Sequence, residues 1–173
     1  ASFSFDASLQ GWAALCAGGT LFPVADELRR DPRGLHNFLQ RRGIALCDGT
    51  PSLFGLLLDH WERHARHPGV KAWLLGGESL RFDHLSRLYG LPGQERTRVH
   101  NAYGPTECCV DATLQTFTSA TWREHVSPPI GAPLKGVKAG IRDGAGRPVP
   151  DGIPGELWLG GAGLCRGYLH APE

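Results

Sequence analysis

Between Asp31 and Asn101 the sequence alternates helical and strand patterns joined by short polar connections, and this alternation constrains the fold more than any other feature. Asp31-Pro32 opens a helix that places Leu35, Phe38 and Leu39 on one face, and Gly43 closes it; an acceptor side chain, a proline and a terminal glycine in that order suit helix ends. Ile44 to Cys47 reads as a short strand. Thr50-Pro51 opens a second helix with Phe54, Leu57, Leu58 and Trp61 at helical spacing, and Ala72 to Leu75 is a buried strand ending at Gly76-Gly77. Phe82 to Tyr89 is a third helix and Arg98 to Asn101 a further strand. Such alternation implies right-handed crossovers and a parallel sheet, whose ligands bind at the carboxyl ends of the strands. Those ends are Asp48, Gly76-Gly77-Glu78 and Asn101-Ala102-Tyr103.

From about Ile130 the pattern changes to Pro, Gly and short β runs: Val137 to Arg142, the turn Asp143-Gly144, and Glu156 to Leu159. The expected architecture is α/β, a mostly parallel sheet flanked by helices over 1–129, with a small β-rich subdomain over 130–173. Both are expected to be partial. The chain has no Met, opens on the strand-like Ala1-Ser2-Phe3-Ser4-Phe5-Asp6, and stops at Ala171-Pro172-Glu173 without a cap, so it reads as a piece of a longer protein.

Composition excludes several classes of partner. A 173-residue chain that is 41% apolar and 20% charged is ordinary globular usage. Its formal charge of +1 offers no basic excess for nucleic acid or an anionic membrane. No apolar run approaches the roughly 20 residues that span a bilayer, and the expectation is a cytoplasmic protein. Five cysteines show no disulfide or zinc spacing, and Cys16, Cys47 and Cys165 read as buried free thiols.

The run Asn101-Ala102-Tyr103-Gly104-Pro105-Thr106-Glu107 carries the chemistry. Gly104-Pro105 forces a tight turn at a strand end, so the Thr106 hydroxyl and the Glu107 carboxylate are presented together, a pair suited to phosphate oxygens and a hard divalent ion. The Tyr103 ring either offers a flat face to a base or packs beneath the turn. Taken alone, the run is equally a turn with two solvated polar residues.

That run resembles the signature of adenylate-forming enzymes, specifically the amino-acid-activating adenylation domains of nonribosomal peptide synthetases. Phe5-Asp6-Ala7-Ser8 and Gly155-Glu156-Leu157-Trp158-Leu159-Gly160-Gly161 through Arg166-Gly167-Tyr168-Leu169 match further motifs in the family's order, with Thr50-Pro51-Ser52 and Leu75-Gly76-Gly77-Glu78 between them. The resemblance implies attack of an amino-acid carboxylate on ATP to give an aminoacyl-adenylate, then transfer to the phosphopantetheine thiol of a peptidyl carrier domain. It implies a nucleotide site of Gly76, Gly77, Asn101, Tyr103, Gly104 and Thr106, with Thr106 and Glu107 catalytic and Glu107 binding Mg²⁺. It also implies that Asp6 anchors the substrate ammonium, an attraction of about 4 kcal/mol at ~4 Å before desolvation. The alternative for Asp6 is a helix cap before Leu9.

By the same resemblance Ala7, Gln10, Asp48, Leu74, Gly76, Ala102, Val110 and Asp111 line the side-chain pocket with Asp6. Gln10, Asp48 and Asp111 make it polar, and a carboxamide offers the acceptor and donors they can satisfy. L-Glutamine is the expected substrate, with glutamate and ornithine as alternatives. An acyl- or aryl-CoA synthetase of the same superfamily would have no ammonium for Asp6. The family's phosphate loop lies upstream, and its ribose-binding aspartate and catalytic lysine downstream; Lys71, Lys135 and Lys138 do not match, so the isolated piece is expected to be inactive. A rival of another class is a metal-binding module built on Asp59, His60, His64 and His67, since imidazoles four apart share a helix face. Gly163, Arg166 and Gly167 read as shaping the β subdomain.

Overall fold

The computed structural model describes residues 5–122 and 127–170. The strand expected from Ala1 begins outside these residues, and Phe5 to Ala7 form a bend and turn before α1 (Ser8–Cys16). A short α2 (Asp26–Arg29) precedes α3 (Pro32–Arg42), β1 (Leu46–Gly49), α4 (Pro51–His64), β2 (Ala72–Leu75), α5 (Phe82–Gly90) and β3 (Arg98–Tyr103). Next come β4 (Thr113–Phe117), β5 (Ala132–Pro133), β6 (Val137–Arg142) and β7 (Glu156–Gly161).

The larger sheet has the order β1-β2-β3-β4-β5. Among the described residues β1, β2 and β3 are parallel, while β4 runs against both β3 and β5, so four of the five strands share one direction. The antiparallel β4 was not expected from the sequence. Its pairing carries β3 two residues past Asn101, with Ala102 opposite Leu114 and Tyr103 opposite Thr113. β6 and β7 form a separate antiparallel pair, Val137 facing Gly161 and Arg142 facing Glu156. Ala132 and Pro133, on the far side of the 129/130 division drawn from the sequence, pair with β4 in the larger sheet.

β1 starts two residues later than expected, for a reason that lies in the preceding helix. Gly43 is left-handed (φ 60°), its N–H donates to Gln40 O, and the Ile44 N–H reaches back to Leu39 O at 3.1 Å. Ile44 is thereby part of the helix stop rather than the strand. Asp31 occupies the N-cap position of α3, yet its carboxylate makes no cap hydrogen bond. Thr50 does cap α4, its Oγ1 accepting from Leu53 N at 3.3 Å.

One face of the sheet holds the core. Trp73 and Leu75 of β2, Val99 of β3 and Phe117 of β4 pack with Leu35 and Leu39 of α3, Phe54, Leu58 and Trp61 of α4, and Leu85 and Leu88 of α5. Complete burial stabilises such side chains by about 1.5–3 kcal/mol each. The Phe54 ring sits 5.0 Å from Trp73 and 6.1 Å from Trp61, centroid to centroid. No helix among the described residues is long and apolar enough to cross a membrane.

Candidate nucleotide and substrate site

Strand alternation sets which residues share a face at the carboxyl end of the sheet. Asp48 pairs directly with Leu74, and Leu74 with His100. Because side chains alternate with a period of two, Ala102 and Gly76 lie on the same face as these residues, opposite the core. The approach is close: a Cβ at Gly76 would stand 3.1 Å from Ala102 O and 3.6 Å from Ala102 Cβ. Four predicted pocket residues, Asp48, Leu74, Gly76 and Ala102, therefore line one wall.

Two more predicted residues complete a polar corner. Gln10 of α1 donates from Nε2 to Asp111 Oδ2 at 2.8 Å, and Gln10 Oε1 is buried without a partner among the described residues. A carboxylate only accepts, which fixes the amide orientation and leaves the oxygen as the unsatisfied atom. Asp48 opens to solvent, but the surrounding protein and the nearby Asp111 charge push its carboxyl above the usual carboxylate range. Gln10, Asp48 and Asp111 are thus brought together from α1, β1 and the segment after Glu107.

That segment is unusually constrained. Thr106–Cys108 forms a single 3₁₀ turn, after which Cys109 and Val110 both take positive φ, 62° and 73°. For Val this conformation is strained. The chain then passes over Gly104, where a Cβ would stand 2.7 Å from Ala112 N and 2.9 Å from Asp111 Cα. Gly104 is required here because no side chain fits beneath the returning backbone. Tyr103 O accepts from Ala112 N at 2.8 Å, closing the loop that joins Tyr103 to Asp111.

Adjoining this wall at the strand ends is a cleft of about 360 Å³, lined by Gly77, Glu78, Ser79, Leu80, Asn101, Ala102, Tyr103, Gly104, Ser127, Pro128 and Ile130, so Ala102 borders both. Gly77 has φ 77°, which allows the backbone to turn away from β2. Tyr103 is 40% exposed, so its ring is available to the cleft rather than packed beneath the turn. Asn101 is buried and donates from Nδ2 to Pro129 O at 2.9 Å, while the Thr113 hydroxyl donates to Ile130 O at 2.8 Å. Asn101 therefore holds the outer wall with its amide.

Thr106 and Glu107 lie past Gly104, outside the lining of the cleft. Glu107 Oε1 accepts a 2.9 Å hydrogen bond from the Tyr168 hydroxyl, and Glu107 O accepts from Cys165 N at 2.7 Å. The Glu107 hydrogen bond and charge raise the Tyr168 phenol above its ordinary value, with Asp6 also contributing. Asp6, Glu107 and Tyr168 thus share one electrostatic neighbourhood. The N-cap position of α1 is Ala7, with no side-chain cap bond among the described residues, so the cap alternative for Asp6 does not hold; Asp6 contributes its carbonyl to Leu9 N at 2.9 Å.

The chain has counterparts among known proteins. The family of AMP-binding enzymes matches residues 1–169. The chain belongs to that family. AMB antimetabolite synthetase AmbE of Pseudomonas aeruginosa is 44% identical over 169 residues, which is 97% of this chain and 8% of that protein. Bacitracin synthase 1 of Bacillus licheniformis is 36% identical over 174 residues, covering 100% of this chain and 3% of its own length. The chain thus spans less than a tenth of either synthetase. A solved nonribosomal peptide synthetase protein containing adenylation and PCP domains matches with a TM-score of 0.79 and 31% identity, over 97% of this chain and 33% of that one.

Membership of the AMP-binding family raises the question of magnesium at Glu107, and the residues fit a hard cation. One carboxylate oxygen is held by Tyr168 and the other has no protein partner among the described residues; Thr106, the preceding residue, is exposed. The histidine alternative lacks such a geometry. His67 turns its ring against Trp61 at 4.6 Å and accepts from Gly69 N, while His64 Nδ1 bonds His60 O. Among the described residues no group of three or more His, Cys, Asp or Glu is placed to hold a metal.

Several site residues were missed or only partly read in the sequence. Glu78 accepts from both Ser52 N and Ser52 Oγ, placing an anion on the N-terminus of α4 and tying the β2–α5 loop to it. Glu78 is legible in the sequence as a strand end and Ser52 only within a family-like run, and nothing in the sequence pairs the two across 26 residues. His100 lies between Leu74 and Thr116, bonded to Thr116 Oγ1 at 2.9 Å. Pro128 and Ile130 carried no signal beyond a proline-rich turn. Cys165 is exposed rather than buried, as is Cys16.

Proposed function

We propose that the protein carrying this chain activates an L-amino acid, glutamine by preference, with ATP to form an aminoacyl-adenylate, and passes the acyl group to the phosphopantetheine thiol of a peptidyl carrier domain. The observation that supports this reading is the meeting of pocket and cleft at one strand end: Ala102 shares a sheet face with Asp48 and Leu74 and also lines the cleft that its neighbours Asn101 and Tyr103 border. A single rigid strand then aligns carboxylate and α-phosphate, the positioning on which phosphoryl chemistry depends. The PCP domain of the solved neighbour supports the carrier step.

Each residue has a stated task in this reading. Asp6 holds the α-ammonium while Ala7 and Val110 close the pocket. Tyr103 presents its ring to adenine beside Gly76 and Gly77, with Asn101 and Gly104 shaping the wall. Thr106 donates to a phosphate oxygen, and Glu107 holds Mg²⁺. When bound, that ion neutralises charge building on the phosphate oxygens.

Glutamine is favoured by Gln10 Oε1. A buried acceptor without a partner is satisfied by a substrate N–H and repels a substrate carboxylate oxygen. ATP–pyrophosphate exchange by the whole protein over a panel of amino acids is expected to rank glutamine first. A ranking of glutamine below apolar amino acids overturns the substrate, and no exchange with any amino acid overturns the activity.

A further inference from the structure

We infer that Tyr168 is a positioning residue for Glu107: its phenol restrains carboxylate oxygen Oε1 and so presents Oε2 to a divalent cation. The inference rests on the reading of Glu107 as the cation ligand. Tyr168 lies 61 residues from Glu107, yet its hydroxyl donates to Oε1 at 2.9 Å. A second bond from the same strap, Cys165 N to Glu107 O at 2.7 Å, fixes where the strap crosses. Gly163 allows the approach, since a Cβ there would stand 3.1 Å from Cys108 O.

Burial does not explain this placement. Tyr168 is 59% exposed, so little apolar area is gained by holding its ring over the loop. The polar contact is what the position provides. A carboxylate on a single 3₁₀ turn otherwise rotates among several rotamers, and a cation site needs one. A donor on one oxygen selects a rotamer without consuming the second oxygen, and hydrogen bonds to ligating carboxylates characteristically tune metal affinity.

The test is Mn²⁺ binding by the whole protein in the presence of ATP, followed by electron paramagnetic resonance, with Mn²⁺ as the probe for Mg²⁺. Tyr168→Phe keeps the ring and removes the donor, and is expected to weaken Mn²⁺ binding about tenfold. Glu107→Gln is expected to weaken it further. Unchanged affinity in Tyr168→Phe beside a loss in Glu107→Gln overturns the positioning role alone. Unchanged affinity in both overturns the cation reading of Glu107 and the inference with it. A double-mutant cycle separates this from general loosening of the strap. In a Glu107→Asp background, whose shorter side chain withdraws from Tyr168, the Tyr168→Phe change should cost almost nothing. An equal tenfold loss in that background overturns the inference.

Discussion

Gln10 and Asp111, separated by 101 residues in sequence, are joined by a 2.8 Å hydrogen bond that engages Asp111 Oδ2 and leaves the Gln10 carbonyl oxygen buried and without a partner among the described residues. The pair turns two polar side chains into a directional acceptor. In the proposed reading that acceptor takes an N–H of the substrate side chain.

Replacing Gln10 with Leu removes both the acceptor and the restraint on Asp111. The expected result is a fall of about 10- to 100-fold in kcat/KM for glutamine, the loss typical of one hydrogen bond in a closed site. The KM for ATP should stay near its original value, because neither Gln10 nor Asp111 lines the cleft. The measurement is pyrophosphate exchange at varied glutamine and then at varied ATP.

Gly104→Ala places a methyl group against the backbone of residues 110 to 112, with Ala112 N and Asp111 Cα at 2.7 and 2.9 Å from the new carbon. Backbone atoms cannot rotate away as a side chain can. The expected cost is about 1–3 kcal/mol of stability, read by thermal unfolding. Displacement of both Tyr103 and Asp111 should impair the use of ATP and of amino acid together, whereas Gln10→Leu impairs only the latter.

His67 makes the chain acid-sensitive. Its Nδ1 accepts from Gly69 N at 3.0 Å and so must be unprotonated, while burial and the nearby His36 push its pKa down to about 4. The unfolded chain titrates near 6.5, so it binds more protons than the folded chain between those values. No penalty exists above 6.5; it grows as pH falls through the window and levels off near 4, reaching on the order of 3 kcal/mol. Amide hydrogen exchange in α4, whose Trp61 packs on His67, should accelerate between pH 6.5 and 4.5 beyond the intrinsic chemical rate. In His67→Gln that excess should diminish.

The parallel unit was legible because its signals are local. Pro51 and Thr50 mark the start of α4, Gly43 marks the end of α3, and the apolar residues of each helix repeat at the helical period. What escaped depends on contacts between distant segments. The Ile44 N–H joined the helix stop instead of a strand. β4 has no strong alternation of its own and becomes a strand by pairing with an extended β3. The antiparallel return then sets the 127–130 wall of the cleft, through Asn101 and Thr113.

The site divides in the same way. Residue types determined the chemistry on offer: a tight Gly-Pro turn, a hydroxyl and a carboxylate at a strand end, and polar residues spaced along the chain. The sequence motifs also determined the family, since their order carries information that no single motif does. Only the tertiary structure decided that β3 extends through Tyr103 against β4, that Asp111 is held by Gln10, and that Tyr168 reaches back to Glu107. The physical reason is that strand register and side-chain hydrogen bonds are set by packing across 61 to 101 residues of intervening chain, whereas turn and capping preferences act within a few residues of themselves.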